Sequence, residues 1–275
     1  MNEDTIRRLA DAVERLAPPP AERTDWAAAP AYVWSGQSAH PVAAIIAPHL
    51  DQLRGIERQK RAVVDNLDRL AAGVAAHDML LWGARGMGKS ALLRAATVVA
   101  QEDDPHRLAI VQAASDALSS LPHLFRELGG VRRNFLVFLD DLTFSGADAI
   151  GPRQLRSLLD GGVEARPANV RLAITTNHRV IQSRSGDGGD EGGDLHPRNA
   201  LDDSLALADR FGLSVGFHAC DQITYLAIVA GYADPLGLRW NDDEALQWAR
   251  QRGARSGRTA WQFVTELAGR ANVVL

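Results

Sequence analysis

A glycine-rich stretch at residues 83–90 limits what this chain can fold into more than any other feature. It fits the pattern G-x-x-x-x-G-K-[ST], in which glycines let backbone N–H groups curl around a polyphosphate without Cβ clashes. An apolar run at 79–82 is typical of a buried strand, and residues 91–96 open a helix. Phosphate binding requires a loop between such a strand and a helix N-terminus, whereas a chance glycine-rich turn needs neither flank. The stretch therefore predicts a nucleotide-binding α/β protein.

Two side chains of this loop have predicted roles. Lys89 would reach the β- and γ-phosphates, and the Ser90 hydroxyl would complete the ligand shell of a Mg²⁺ ion. Of the 30 Lys and Arg residues only Lys60 and Lys89 are lysine. A compact ammonium fits between phosphate oxygens, where a planar guanidinium is a poor substitute. The residues expected to contact the phosphates are Gly83, Ala84, Arg85, Gly86, Met87, Gly88, Lys89, Ser90 and Ala91.

The composition excludes several classes of protein. The single Cys220 rules out a disulfide framework and a cysteine zinc cluster, and suits a reducing, cytoplasmic location. No apolar run approaches membrane-spanning length, and the charged N-terminus is unlike a secretory signal. A net charge of −4 gives no support for broad nucleic-acid binding, although a local basic face stays possible.

Apolar runs alternate with helical stretches along most of the chain. Five runs predict strands, at 79–82, 108–111, 135–139, 170–174 and 213–217. Helical patterns occur at 56–72 and, after the last strand, at about 221–233, 242–251 and 258–271. This order predicts a P-loop NTPase fold of the α/β class. Residues 51–217 would form a parallel five-stranded sheet flanked by helices, and residues 218–275 a small all-helical lid domain.

The first 50 residues have a different composition. Apolar positions at helical spacing predict a helix over 5–17, which Pro18, Pro19 and Pro20 would end. The rest is rich in Ala, Pro and Ser with Trp26, Tyr32 and Trp34 inserted. We interpret it as an irregular segment that docks through its aromatic side chains. A mostly disordered linker fits the composition nearly as well.

An acid pair follows the strand predicted at 135–139. Asp140 would hold the Mg²⁺ ion, directly or through water, and Asp141 would polarise the attacking water. ATPases of this type usually carry Glu at the second position, so the shorter Asp141 is a departure that is compatible with slow turnover. A strand-end cap or turn is the alternative role for the pair.

Three further positions are candidates for catalysis. Asn177, at the end of the strand predicted at 170–174, would orient water and touch the γ-phosphate, or else stabilise a turn. Arg210 stands before the last predicted strand and would complete a neighbouring subunit's site, or else pair with Asp209. Arg258, in preference to Arg255, would reach back to the phosphates from the start of the last helix. Two solvated arginines are the alternative there.

Taken in order, these residues resemble the motifs of AAA+ ATPases: Walker A, Walker B, sensor 1, arginine finger and sensor 2. The chain resembles more closely the bacterial AAA+ family called domain of unknown function 815. The matching stretches are 53–60, 81–86, 164–167, 208–213 and 256–258. This resemblance implies that the segment around Leu53 and Ile56 lines an adenine pocket. It implies nothing about a biological substrate.

The resulting hypothesis is an ATP-binding, Mg²⁺-dependent ATP hydrolase that assembles as a homo-oligomer, with its arginine finger acting in trans. Its client would be an unknown protein or nucleic acid, and no membrane is involved. Two rivals stay open: a nucleotide-gated loader with little turnover, and a small-molecule kinase on the same phosphate loop. The segment near 113–121, where polypeptide-threading motors carry a pore loop, lacks their aromatic–hydrophobic–glycine pattern.

Overall fold

A computed structural model describes residues 24–142, 165–177 and 209–275, with isolated positions at 5, 155, 158 and 159. Within these ranges one sheet is formed by seven strands. The strands are β1 (Ala31–Trp34), β2 (Ala39–Val42), β3 (Met79–Gly83), β4 (Leu108–Ala113), β5 (Asn134–Leu139), β6 (Val170–Thr176) and β7 (Leu213–Phe217).

Six α-helices lie in the described ranges. They are α1 (Glu57–Ala71), α2 (Lys89–Ala100), α3 (Leu121–Gly129), α4 (Gln222–Ala233), α5 (Asp242–Gln251) and α6 (Gly257–Arg270). Short 3-10 segments occupy Leu50–Gln52, Ser115–Ser120 and Asp234–Leu236. None of the described helices is both long and apolar enough to span a bilayer.

The strand order is β2-β1-β4-β5-β6-β3-β7, and every pairing is parallel except that of β1 with β2. Strands β3–β7 are the five that the sequence predicts. Their carboxyl ends lie along one edge of the sheet, because parallel strands all point the same way. This edge therefore carries the loop after β3, the acid pair after β5 and the residue after β6.

The prediction of five strands and of an irregular segment before residue 50 is wrong in one respect. Strands β1 and β2 come from that segment, and β1 pairs with β4 so that Ala31 lies opposite Ile110. The four residues of β1 are uncharged and too few to predict a strand from their alternation alone. Their conformation is decided by pairing with β4 at the edge of the sheet. The aromatic side chains of this segment are buried, since Trp26, Tyr32 and Trp34 are at most 5% exposed.

The approach to β1 is fixed by a buried arginine. Arg133 donates from Nη1 to the carbonyl oxygens of Trp26 (2.9 Å) and Ala29 (2.8 Å), and from Nη2 to that of Leu108 (3.0 Å). Burial lowers the pKa of this guanidinium. Backbone carbonyls therefore satisfy both Nη atoms, whereas the buried Nε has no hydrogen-bond partner among the described residues.

Apolar side chains form three clusters. One lies between the sheet and α3, and a second between the sheet and the pair α1 and α2. The third is built within α4–α6, which match the three helices predicted after residue 217. Apart from residue 5, the helix predicted over 5–17 lies outside the described residues, and the proposed domain limits stay predictions.

Replacing Trp34 by alanine should destabilise the fold by about 3–5 kcal/mol, since it removes a fully buried indole and leaves a cavity. It also removes the hydrogen bond from Trp34 Nε1 to Ser120 Oγ (2.8 Å). Urea unfolding followed by circular dichroism measures the change. Val33→Ala is the matched control, because Val33 is the exposed neighbour on the same strand. Equal effects of the two substitutions would contradict the packing described for β1.

Candidate functional site

A cavity of about 330 Å³ opens at the carboxyl edge of the sheet, between the loop after β3 and helices α4 and α6. Among the residues predicted to bind nucleotide, most line it. They are Ile56, Arg85, Gly86, Met87, Gly88, Lys89, Ser90, Ala91, Asp140, Asp141, Asn177 and Arg258. These residues lie as far apart in the sequence as Ile56 and Arg258, and the parallel sheet brings them together.

The path of the loop requires its glycines. Gly83, Gly86 and Gly88 have φ values of 119°, 76° and 90°, in a region that favours glycine. A Cβ at Gly83 would overlap the carbonyl oxygen of Phe217, and one at Gly86 would lie 2.9 Å from Ser256 Oγ. The loop therefore passes against β7 on one side and against the start of α6 on the other.

Lys89 is held at the centre of the loop. Its Nζ donates to the carbonyl oxygens of Gly83 (2.8 Å) and Ala84 (3.0 Å) and to Asn177 Oδ1 (2.9 Å). Burial lowers the pKa of this amine, while Asp141 and Asp140 oppose that shift. Gly83 and Ala84 thus act on Lys89 through their carbonyls and do not line the cavity.

The Asp140 carboxylate connects the loop to the sheet. Its Oδ1 accepts hydrogen bonds from Ser90 Oγ and from Thr175 Oγ1, both at 2.6 Å. Thr175 Oγ1 in turn accepts the backbone N–H of Asp141 at 2.8 Å. The hydroxyl and carboxylate predicted as metal ligands are therefore adjacent.

Thr175 is a site residue that the sequence reading missed. It is 1% exposed and holds both acids of the pair by one hydroxyl. A threonine near the end of an apolar strand is common for reasons of strand propensity alone. Its only signal was its position two residues before Asn177.

Asn177 connects Lys89 to Asp141. Its Oδ1 accepts from Lys89, and its Nδ2 donates to Asp141 Oδ1 in a short contact. Asp141 itself has a φ of 54°, which is uncommon for a residue with a side chain. The two candidate water-positioning groups therefore touch each other.

The two arginines before α6 are in different places. Arg258 lines the cavity, and its N–H donates to the Gly86 carbonyl oxygen at 3.1 Å. Arg255 is exposed and does not line the cavity; its carbonyl oxygen accepts Cys220 Sγ at 3.2 Å. Ser256 caps the helix by accepting the Thr259 N–H at 3.2 Å. The N-cap at Ser256 places Arg258 in the first turn of α6, facing the loop.

An apolar wall closes the cavity on the side away from the acids. Leu53, Ile56 and Met87 contribute from the core, and Ile228, Tyr232 and Trp261 from helices α4 and α6. The Tyr232 and Trp261 rings meet edge to face with centroids 5.1 Å apart. The sequence does not reveal that Ile228, Tyr232 and Trp261 line the cavity, because their spacing is also that of ordinary helix packing. An apolar and aromatic lining of this kind suits a nucleotide base.

Arg210, like Arg255, lies outside the nucleotide cavity. It is exposed in the turn before β7 and lines a second cavity together with His77 and Asp78, next to the first residue of β3. Gly83, by contrast, ends β3. Arg210 therefore lies at the opposite end of this strand from its own phosphate loop.

Comparison with known proteins decides the family. The model of a family described as a protein of unknown function (DUF815) matches residues 27–271, which is most of the chain. The chain belongs to this family. No curated protein sequence matches it.

Two solved structures of other proteins have a fold similar to that of this chain. The RuvB Holliday junction branch migration motor of Thermotoga maritima has a TM-score of 0.51 at 15% identity, covering 84% of this chain and 68% of RuvB. The Orc1 protein of Aeropyrum pernix in complex with DNA has a TM-score of 0.55 at 17% identity, covering 79% and 61%. The fold is that of AAA+ P-loop NTPases.

Proposed function

We propose that this DUF815 chain binds ATP with Mg²⁺ and hydrolyses it in an assembled homo-oligomer, and that the conformational change acts on a client. The observation that carries the proposal is the meeting of Lys89, Ser90, the acid pair, Asn177 and Arg258 in one cavity. A carboxylate pair, a hydroxyl and two cations are the groups that phosphoryl transfer requires.

The residues present fit a nucleoside triphosphate and its metal. The glycines of the loop leave the backbone close to the cavity, and a Cβ at Gly86 or Gly83 would meet neighbouring atoms. Lys89 and Arg258 supply positive charge. Ser90 Oγ and Asp140 supply hard oxygen ligands of the kind that Mg²⁺ prefers. Bound there, Mg²⁺ would neutralise charge on the phosphate oxygens.

The reaction would depend on positions that the protein holds in advance. Asp141 would accept hydrogen bonding from the attacking water, and Asn177 would orient both that water and Lys89. Lys89, Arg258 and the neighbour's Arg210 would stabilise negative charge as it develops. Thr175 links the Asp140 carboxylate to the backbone N–H of Asp141 through its hydroxyl.

Contact between lid and loop supports a mechanical output. The N–H of Arg258 binds the Gly86 carbonyl oxygen, and a Cβ at Gly257 would lie 3.1 Å from that same oxygen. Because helix α6 rests directly on the phosphate loop, a change at the phosphates would tilt α4–α6 against the sheet. Such domain motion is a common output of nucleotide sites.

The nature of the client stays open between protein and nucleic acid. The segment near 113–121, where polypeptide-threading motors carry a pore loop, contains the 3-10 turn Ser115–Ser120, in which Ala117 and Leu118 are buried. Trp34 of β1 binds its Ser120. An anchored turn without exposed aromatics supports remodelling or loading over threading of a polypeptide.

A binding module with little turnover is the second candidate. The contact of Asp141 with Asn177 favours it, because a carboxylate that is already hydrogen-bonded is less available to water. Trapping the client with the Asp141→Asn variant tests both candidate functions, since each predicts a nucleotide-bound state that holds its partner.

Asp140→Asn and Asp141→Asn should separate two functions. Asp140→Asn is expected to weaken Mg²⁺-dependent ATP binding, because the metal loses a charged ligand. Asp141→Asn should keep binding and slow hydrolysis, roughly a hundredfold or more, because water loses its base. Calorimetric titration with and without Mg²⁺ and phosphate release measure the two effects. Hydrolysis at the wild-type rate in both variants would show that Asp140 and Asp141 are not the metal and water site.

A further inference from the structure

An arginine on the helix that follows the phosphate loop has no partner. Arg94 of α2 lines the nucleotide cavity. Its Nε is buried without a hydrogen-bond partner, and in the part of the chain that the structure describes its guanidinium makes no ion pair. A guanidinium has five N–H donors and no acceptor, so what Arg94 lacks is a neighbouring oxygen atom. Buried donors in this state are rare in folded proteins and call for a ligand or another explanation.

Two other arginines have one buried nitrogen without a partner, but both are held in place by the protein. The atoms concerned are Arg133 Nε and Arg166 Nη1. Both Nη atoms of Arg133 donate to backbone carbonyls, and Arg166 Nη2 pairs with Asp78. Neither arginine lines the nucleotide cavity. Arg94 differs from them in both respects, because it faces the cavity and nothing described holds its guanidinium.

Helix α2 directs Arg94 to the cavity because its other face is packed in the core. Ala91 and Arg94 are three positions apart, and both line the cavity. Residues at this spacing lie on one face of a helix. A long side chain on a helix leans towards the helix N-terminus, so the guanidinium is directed back to the turn that contains Ala91. The apolar residues that α2 buries in the core are Leu92, Leu93, Ala95 and Ala96.

Positive side chains outnumber carboxylates around the cavity. Its two acids are Asp140 and Asp141, and its five cations are Arg54, Arg85, Lys89, Arg94 and Arg258. This excess of positive charge favours an anionic ligand. Lys89 already has three acceptors within 3.0 Å. Within this set and the described residues, only Arg94 has a buried nitrogen that lacks an acceptor.

The two ends of the cavity define where Arg94 would meet a nucleotide. The first turn of α2 lies at the proposed metal and γ-phosphate end, where Ser90 contacts Asp140. Arg94 follows Ser90 by four residues, which is roughly 6 Å along the helix axis. Helix α2 also packs on the 3-10 segment Leu50–Gln52, which leads to Leu53 of the apolar wall. Arg94 therefore flanks the part of the cavity between the acids and the wall for the base.

We propose that Arg94 binds the α-phosphate of the nucleotide, an inference that rests on the proposed ATP binding. The α-phosphate is the phosphate nearest to the base, and its oxygens supply the acceptors that Arg94 lacks. Hydrogen bonds from a guanidinium to a phosphate are charge-assisted and strong. ATP and ADP share the α-phosphate, so Arg94 contributes equally to the binding of both. Lys89, by contrast, is assigned to the β- and γ-phosphates.

Calorimetric titration of the full chain with ADP and with non-hydrolysable β,γ-imido-ATP, both with Mg²⁺, tests this contact. Arg94→Met keeps an unbranched side chain and removes the charge and all donors. It should weaken both nucleotides by the same factor, roughly tenfold or more. Arg94→Lys should recover part of the affinity, because it restores the charge. Arg61→Ala, at an exposed position on α1 outside the cavity, should leave both affinities unchanged.

Sulfur on the α-phosphate tests the contact from the ligand side. Wild-type protein should bind at least one diastereomer of ADPαS more weakly than ADP, because sulfur is a poorer acceptor than oxygen. Arg94→Met should lose this difference, since the interaction that sulfur weakens is already absent.

Three results would overturn the assignment. They are unchanged affinities in folded Arg94→Met protein, a larger loss for the triphosphate than for ADP, and equal binding of ADP and both ADPαS diastereomers by the wild type. The last comparison needs no substitution and so does not depend on the folding of a variant. Wild-type protein that binds neither ADP nor the triphosphate would instead refute the proposed ATP binding, so the two failures are distinguishable.

Discussion

Lys89→Ala should abolish tight ATP binding and leave the fold intact. The ammonium has three acceptors within 3.0 Å, and all lie at the rim of the candidate phosphate site. Charge-assisted contacts in a partly desolvated site contribute several kcal/mol, so the affinity should fall by roughly a hundredfold or more. Titration with a fluorescent ATP analogue measures the loss, and circular dichroism verifies the fold.

The chain provides its own control for this variant. Lys60 is the only other lysine, and it donates to the Leu50 carbonyl oxygen (3.2 Å) beside an ion pair with Glu57. Lys60→Ala removes the same charge from a half-buried position on α1 that does not line the cavity, and it should bind ATP as the wild type does. Unchanged affinity in a folded Lys89→Ala protein would refute the assignment of the phosphate loop.

Arg210→Ala should bind ATP normally and lose most of its turnover. Arg210 lies with Asp78 at the start of β3, away from the loop at the end of that strand, and its proposed role is therefore at a neighbouring subunit's site. Arginine fingers typically contribute on the order of a thousandfold or more. Phosphate release measures the loss, and Arg239→Ala, at an exposed arginine before α5, is the control.

Mixing two inactive proteins tests the action in trans. Lys89→Ala subunits carry an intact Arg210, and Arg210→Ala subunits carry an intact phosphate loop, so mixed assemblies should recover activity. Wild-type turnover per subunit should likewise rise with protein concentration as subunits assemble. If light scattering shows mixed assembly and no activity returns, Arg210 does not act across subunits.

The sequence predicts the central sheet well because most of its strands, β3, β5 and β6 above all, are buried on both faces. Such strands appear as continuous apolar runs, and β3, β5 and β7 match their predicted limits to within one residue. The three helices after β7 also match their predicted ranges closely, and Asp221, Asn241 and Ser256 each cap one of them with a side-chain oxygen.

What the sequence missed depends on contacts between distant segments. Strand β1 forms because an edge at β4 is available, and nothing in Ala31–Trp34 reveals that edge. Thr175 matters because Asp140 and Asp141 lie beside it, 35 and 34 positions away along the chain. Tyr232 and Trp261 face the cavity only because α4 and α6 fold over the loop.

The helix N-cap at Ser256 distinguishes Arg258 from Arg255 as the arginine that faces the phosphate loop, whereas their spacing in the sequence does not. Both arginines stand before a predicted helix, and spacing favours neither strongly. Ser256 is the N-cap, so Arg258 begins α6 with its N–H on Gly86, whereas Arg255 stays outside the helix. Weighing the capping serine would have strengthened the prediction of Arg258 from sequence.

Phosphate release from ATP, measured over a range of protein concentrations with Mg²⁺ and with EDTA, tests the central claim most directly. The proposed function predicts Mg²⁺-dependent release whose rate per subunit rises as the protein assembles and is lost in Lys89→Ala. No release from assembled wild-type protein, or the same release from Lys89→Ala, would contradict ATP hydrolysis at this site.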